Sequence, residues 1–170
     1  NSVIQEITLS GTGASELRPI FANTSGTITI TGNTIGSSTA NNMSLAGAAY
    51  QYGILVDGNG TITCSNNTIQ GYNITETSAS TLFRGIYNND GNFTCSNNTI
   101  RTINSAGGAS TQYGIQHLGT ADNATINSNS FSDITLSSAN SGINLIHSNT
   151  TGTTTINSNT IGSTTNNNIS

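Results

Sequence analysis

Seven carboxylates, two histidines, two cysteines and three arginines are the ionisable side chains, tyrosines aside, that this 170-residue chain offers for chemistry. The acids are Glu6, Glu16, Asp57, Glu76, Asp90, Asp122 and Asp133, and no two lie within four residues of each other. Glycoside hydrolysis needs two carboxyl groups facing each other across one bond, and nothing singles out such a pair. Asp57, Asp90 and Asp122 recur in related turns, and calcium accepts carboxylate and carbonyl oxygens in flexible geometry. Asp-Gly and Asn-Asp pairs also make ordinary turns, and the unequal turn lengths predict that the three aspartates do not align. His117 falls in an inward series with Val56, Asn88 and Leu145, where a buried imidazole bonded to Asn88 is expected rather than a catalytic base. His147 lies near a loop with no identifiable partner, and serine is too abundant for a nucleophile to stand out. No cofactor, no metal site and no catalytic constellation is implied.

Cys64 and Cys95 share one register in neighbouring repeats. Parallel strands sit about 4.8 Å apart, inside the Cα range of a disulfide, but parallel side chains keep the Cβ atoms apart. A reduced pair, packed as small hydrophobes, is expected.

The most promising surface signal flanks a recurrent Gly-Ile pair. Arg18, Tyr52, Arg84, Tyr113 and Ser141 precede it; Phe21, Leu55, Tyr87, Gln116 and Asn144 follow it. Both columns are expected to point outward on one strand face. Tyrosine planes stack on sugar rings and arginine forks bind carboxylates or hydroxyls, so Arg18, Tyr52, Arg84, Tyr87 and Tyr113 are candidates for carbohydrate binding. Aromatic ladders also stabilise stacked strands, and both readings stand open.

The elements that position these residues follow from a ten-residue phrase that returns five times. It begins at Gly26-Thr-Ile-Thr-Ile-Thr-Gly-Asn33-Thr-Ile35 and returns around Asn67, Asn98, Asn129 and Asn159. The anchoring asparagines are 34, 31, 31 and 30 residues apart, a period that marks a stacked repeat. Within the phrase, apolar and polar residues alternate as in a strand with one buried face. The inward columns are Ile28, Ile62, Phe93, Ala124, Thr154; then Ile30, Cys64, Cys95, Ile126, Ile156; then Ile35, Ile69, Ile100, Phe131, Ile161. Between the first two lies an outward threonine in every copy, at 29, 63, 94, 125 and 155. A second strand precedes each phrase at Pro19-Ile20, Gly53-Ile54, Gly85-Ile86, Gly114-Ile115 and Gly142-Ile143. The third side varies in length and reads as loop. The repeats run roughly over 18–49, 50–81, 82–110, 111–139 and 140–170, in one segment spanning 1–170.

Charged residues make up only 6% of the chain, lysine is absent and the net charge is −4. That composition offers no basic stripe for phosphate backbones, so nucleic-acid binding is not expected. No apolar run approaches the roughly 20 residues of a membrane span. Thr34–Ser44 closely matches Thr160–Ser170, which predicts a piece of a longer solenoid whose uncapped coil ends expose pairing edges and invite self-association.

The phrase, with its asparagine between two short strands and its upstream Gly-Ile strand, resembles the right-handed parallel β-helix repeat of the pectin-lyase-like superfamily over about residues 18–161. The resemblance implies an all-β solenoid of about five coils in which Asn33, Asn67, Asn98, Asn129 and Asn159 stack as an internal ladder. Asparagine suits that place because it tolerates a left-handed backbone and its amide bonds its neighbours. Lyases of the superfamily pair a basic residue with clustered carboxylates, and its hydrolases set several aspartates on one strand face; neither cluster is present here. The Asn/Thr-rich, lysine-free composition is similar to large secreted surface proteins of Bacteroidetes-type bacteria. A non-enzymatic structural or adhesin segment outside the cell, meeting polysaccharides or cell-surface glycans, is therefore expected. A polysaccharide lyase or hydrolase is the enzyme alternative. The Thr-x-Thr rows at 27–29, 61–63 and 153–155 also resemble those of ice-binding solenoids, although Asn92 and Asn123 interrupt them. A self-assembling filament subunit is a further option.

Overall fold

The computed structural model describes residues 1–10, 15–39, 42–77, 81–106, 111–138, 142–162 and 169, and among these every regular element is a β-strand. Three parallel sheets form the sides of a solenoid of about five coils. Sheet A holds β1 (Val3–Ile4), β2 (Ile7–Leu9), β6 (Thr34–Ile35), β7 (Met43–Leu45), β10 (Thr68–Ile74), β13 (Thr99–Ser105), β16 (Ser130–Leu136) and β19 (Thr160–Ile161). Sheet B holds β3 (Ser15–Leu17), β4 (Ile20–Ala22), β8 (Ala48–Val56), β11 (Leu82–Asn88), β14 (Thr111–His117) and β17 (Gly142–Ser148). Sheet C holds β5 (Thr27–Thr31), β9 (Thr61–Ser65), β12 (Asn92–Ser96), β15 (Ala124–Asn127) and β18 (Thr154–Asn157). The chain runs B, C, A in each coil, so every strand pairs with its counterpart one coil away.

The three apolar columns stack in register as the alternation predicts. Ile35, Ile62, Cys64, Ile69, Ile126 and Phe131 are wholly inaccessible to solvent. Each fully buried Ile or Phe contributes about 1.5–3 kcal/mol, so this shared core holds together strands that could not bury a face alone.

The corner from sheet C to sheet A carries the asparagine ladder. Asn67 donates from both its backbone N and Nδ2 to Asn98 Oδ1 (2.9 and 3.0 Å) and from Nδ2 to the Ile30 carbonyl (2.9 Å). Asn98 and Asn129 repeat this pattern, Asn33 donates twice to Asn67, and Asn159 receives from Asn129. The left-handed backbone, however, belongs to the residue before each ladder asparagine: Gly32, Asn66, Asn97, Ser128 and Ser158, with φ between 53° and 70°. The bend is made one residue early, which leaves the ladder residue free to turn its amide inward.

Two further sequence expectations are corrected. Sheet A extends through β10, β13 and β16, so the third side is strand for part of its length. A left-handed residue at Gly71, Thr102 and Asp133 bends each strand and returns Tyr72, Ile103 and Ile134 to the core, a three-residue step that hides the alternation. In the fifth repeat, Gly142-Ile143 is not the counterpart of Gly114-Ile115. The register pairs Gln112 with Ile143 and Ile115 with Ile146, because the hydrogen-bonded ladder keeps the 30–31-residue period that a short dipeptide match ignores. Asn144 rather than Ser141 therefore stands beside Tyr113, and His147 rather than Asn144 beside Gln116. Ser148 rather than Leu145 stands beside His117. Ser141 lies outside the described residues.

Candidate functional site

The outer face of sheet B gathers two of the three arginines, Arg18 and Arg84, with the rings of Phe21, Tyr52, Tyr87 and Tyr113. Parity along β11 is broken at Gly85, where Phe83, Ile86 and Asn88 are buried while Arg84 and Tyr87 are half-exposed, three residues apart. Glycine is required at the break: a Cβ there would stand 2.6 Å from the Gly114 carbonyl oxygen and 2.6 Å from Ile100 Cδ1. A Cβ at Gly53 or Gly114 would likewise stand 2.5 Å from the Gly85 or Leu145 carbonyl oxygen, but Leu55 and Gln116, expected to point outward, are buried.

Arg84 sits among three tyrosines. Its guanidinium carbon lies 4.5 Å from the Tyr87 ring centre, 5.5 Å from Tyr52 and 5.9 Å from Tyr113, within cation–π range. Nη1 donates to Tyr52 Oη at 2.8 Å, and Nε is buried without a partner. The Tyr52 and Tyr87 rings are 5.8 Å apart. Tyr87 Oη donates to Asn89 Oδ1 (2.7 Å), whose Nδ2 donates to Asp57 Oδ1 (2.8 Å). Burial holds the Tyr87 phenol above its usual pKa, with Arg84 pulling it down and Tyr52 and Asp57 pushing it up.

Of the five candidates, Tyr52, Arg84, Tyr87 and Tyr113 come together on neighbouring strands. Tyr52 is only 6% exposed, so it holds Arg84 from the neighbouring strand through its hydroxyl rather than offering a surface. Arg18 lies one coil beyond Tyr52, paired with Glu16 and set over the Phe21 ring at 5.2 Å. His147 joins the face unforeseen, 5.4 Å from the Tyr113 ring and 3.3 Å from Gln116 Nε2. Only the corrected register of β17 brings it there.

The remaining candidates are placed elsewhere. His117 is buried against Phe93, and Asn88 Nδ2 donates to its Nδ1 (3.0 Å). Burial lowers its pKa, while Asp122 and Asp90 act in the opposite direction. Asn89, not Asp90, is the neighbour of Asp57, and Asp90 and Asp122 both accept from Gly91 N at 3.0 Å. Among the described residues no group of three or more His, Cys, Asp or Glu side chains is placed to hold a metal ion. Cys64 and Cys95 are free thiols side by side in the core, and burial pushes Cys64 up to about 12. The outward threonines of sheet C align in register. The asparagines that interrupt their neighbours tie one coil to the next, since Asn92 and Asn123 accept from the backbone N of Asn123 and Thr153 respectively.

The fold and this face define a parallel β-solenoid with an arginine cupped by tyrosines on one sheet. No family model, no curated protein and no solved structure matches the chain. No helix among the described residues is long and apolar enough to cross a membrane.

Proposed function

We propose that this chain is a non-enzymatic structural or adhesin segment of a secreted bacterial surface protein, working outside the cell. It contacts glycans through the outer face of sheet B. Right-handed winding and kinship with the pectin-lyase-like superfamily belong to the same proposal. The observation that carries the reading is the Arg84 guanidinium held among Tyr52, Tyr87 and Tyr113, with phenols rather than carboxylates as its neighbours. Ring faces take the apolar face of a sugar, and a pre-oriented guanidinium takes its oxygens. A lyase or hydrolase of that superfamily would set carboxylates against the cation instead. The test is affinity electrophoresis against neutral and acidic polysaccharides, with an Arg84→Ala, Tyr113→Ala double variant alongside. Retardation by one polymer that the variant loses is expected; no retardation by any polymer refutes the binding face.

A further inference from the structure

Beside the tyrosine face, where sheet B turns into sheet C, lies a polar groove of about 430 Å³, a size that receives small ligands. Its walls come from successive coils: Asn23 and Thr24 after β4, Asp57 and Asn59 after β8, Asn89 and Asp90 after β11. We propose that this groove is the specificity end of the glycan site and that it receives the hydroxyls of a neutral sugar unit stacked on Tyr87. The inference rests on the glycan reading above and names its ligand class.

Tyr87 joins the two surfaces. Its hydroxyl fixes the Asn89 amide, and that amide in turn holds Asp57 Oδ1. Asp90 uses Oδ1 on the Gly91 backbone N. An ionised carboxylate has about four lone-pair sites on its two oxygens, so Asp57 and Asp90 keep acceptor capacity for hydroxyl donors. Asn23 and Asn59 supply amides, each able to donate and accept. The groove lining contains no cation. An acidic sugar entering it would set its carboxylate against Asp57 and Asp90, a like-charge contact that costs free energy without a counter-ion. Adjacent hydroxyls of a neutral ring meet the same two carboxylates with matched polarity, and charge-assisted hydrogen bonds of this kind are about twice as strong as neutral ones.

The inference is tested by calorimetric titration of the chain with neutral hexose oligosaccharides and with uronic-acid oligosaccharides of equal length, each with and without EDTA. Asp57→Ala, Asn59→Ala and the Arg84→Ala, Tyr113→Ala double variant are titrated in parallel, after circular dichroism has shown native folding. Binding of a neutral oligosaccharide, unchanged by EDTA and weakened at least tenfold in Asp57→Ala, is expected. Binding that needs Arg84 and Tyr113 but ignores Asp57 and Asn59, prefers uronic acids, or vanishes with EDTA overturns the groove inference and leaves the glycan face standing. Binding of neither class overturns both.

Discussion

Replacing Asn98 by alanine should cost far more than the same change at Asn159, although both belong to one ladder. In the folded chain Asn98 Oδ1 accepts from Asn67 N and Nδ2, and Asn98 Nδ2 donates to the Cys64 carbonyl and to Asn129 Oδ1. Truncation orphans the Asn67 N–H and one Asn67 amide hydrogen at a buried corner, and removes the side-chain donor from the Cys64 carbonyl. At about 1–3 kcal/mol for each of these two buried unsatisfied donors, the loss is roughly 2–6 kcal/mol. Asn159 is half-buried and makes the same kinds of bond to Asn129 and Ile126, but water reaches its surroundings. Its loss should be about 1 kcal/mol. Urea denaturation followed by far-ultraviolet circular dichroism and by tyrosine fluorescence measures both. For a chain of this size the interior variant should also melt roughly 5 °C or more below the parent. Equal losses at the two positions would refute the argument, because they would mean that ladder amides find equivalent partners wherever they lie.

Three further outcomes follow from the core and the bends. Cys64, held near pKa 12, should react with a disulfide reagent at pH 8 roughly a thousandfold more slowly than a free thiol, since only the thiolate attacks; labelling of the native chain within minutes would contradict its burial. Burial lowers the His117 pKa below its ordinary 6.5, so the unfolded chain takes up a proton at a higher pH than the folded one. The stability from the neutral ring is complete above about pH 6.5 and is lost as pH falls toward the folded-state value, with a slope of at most about 1.4 kcal/mol per pH unit. His117→Gln should flatten that decline in urea titrations between pH 7 and 5, and an unchanged slope would exclude His117 as its source. Gly85→Ala should destabilise by about 1–3 kcal/mol as the new methyl meets the Gly114 carbonyl and Ile100; a thermal melt matching the parent would show that the strand bend is not under steric control.

Much of the solenoid was legible because parallel stacking repeats one residue environment every coil. Ile28, Ile62 and Phe93 meet the same neighbours, so one buried column writes itself into the chain as a period. The asparagine ladder was legible for the same reason, although its left-handed bend was assigned one residue late: Asn66 and Asn97 precede ladder asparagines and look alike in sequence. Tyr52, Arg84 and Tyr113 were legible as one column from their place before Gly-Ile. His147 was not, because Gly142-Ile143 imitates the repeat while the hydrogen-bond register follows Ile146. The extension of sheet A was hidden by left-handed residues at Gly71, Thr102 and Asp133, which interrupt alternation without ending the strand.

The amino-acid order alone determined the repeat, its period, the apolar columns and the ladder, since each depends on side-chain type at a fixed spacing. Only the tertiary structure decided which neighbours share a surface. Tyr52 is covered while Arg84 beside it stays half-exposed, Asp57 is tied through Asn89 to Tyr87, and the corner groove is assembled from three successive coils. Such contacts depend on inter-coil register and on turn lengths that differ by a few residues, and no local pattern in the chain encodes them.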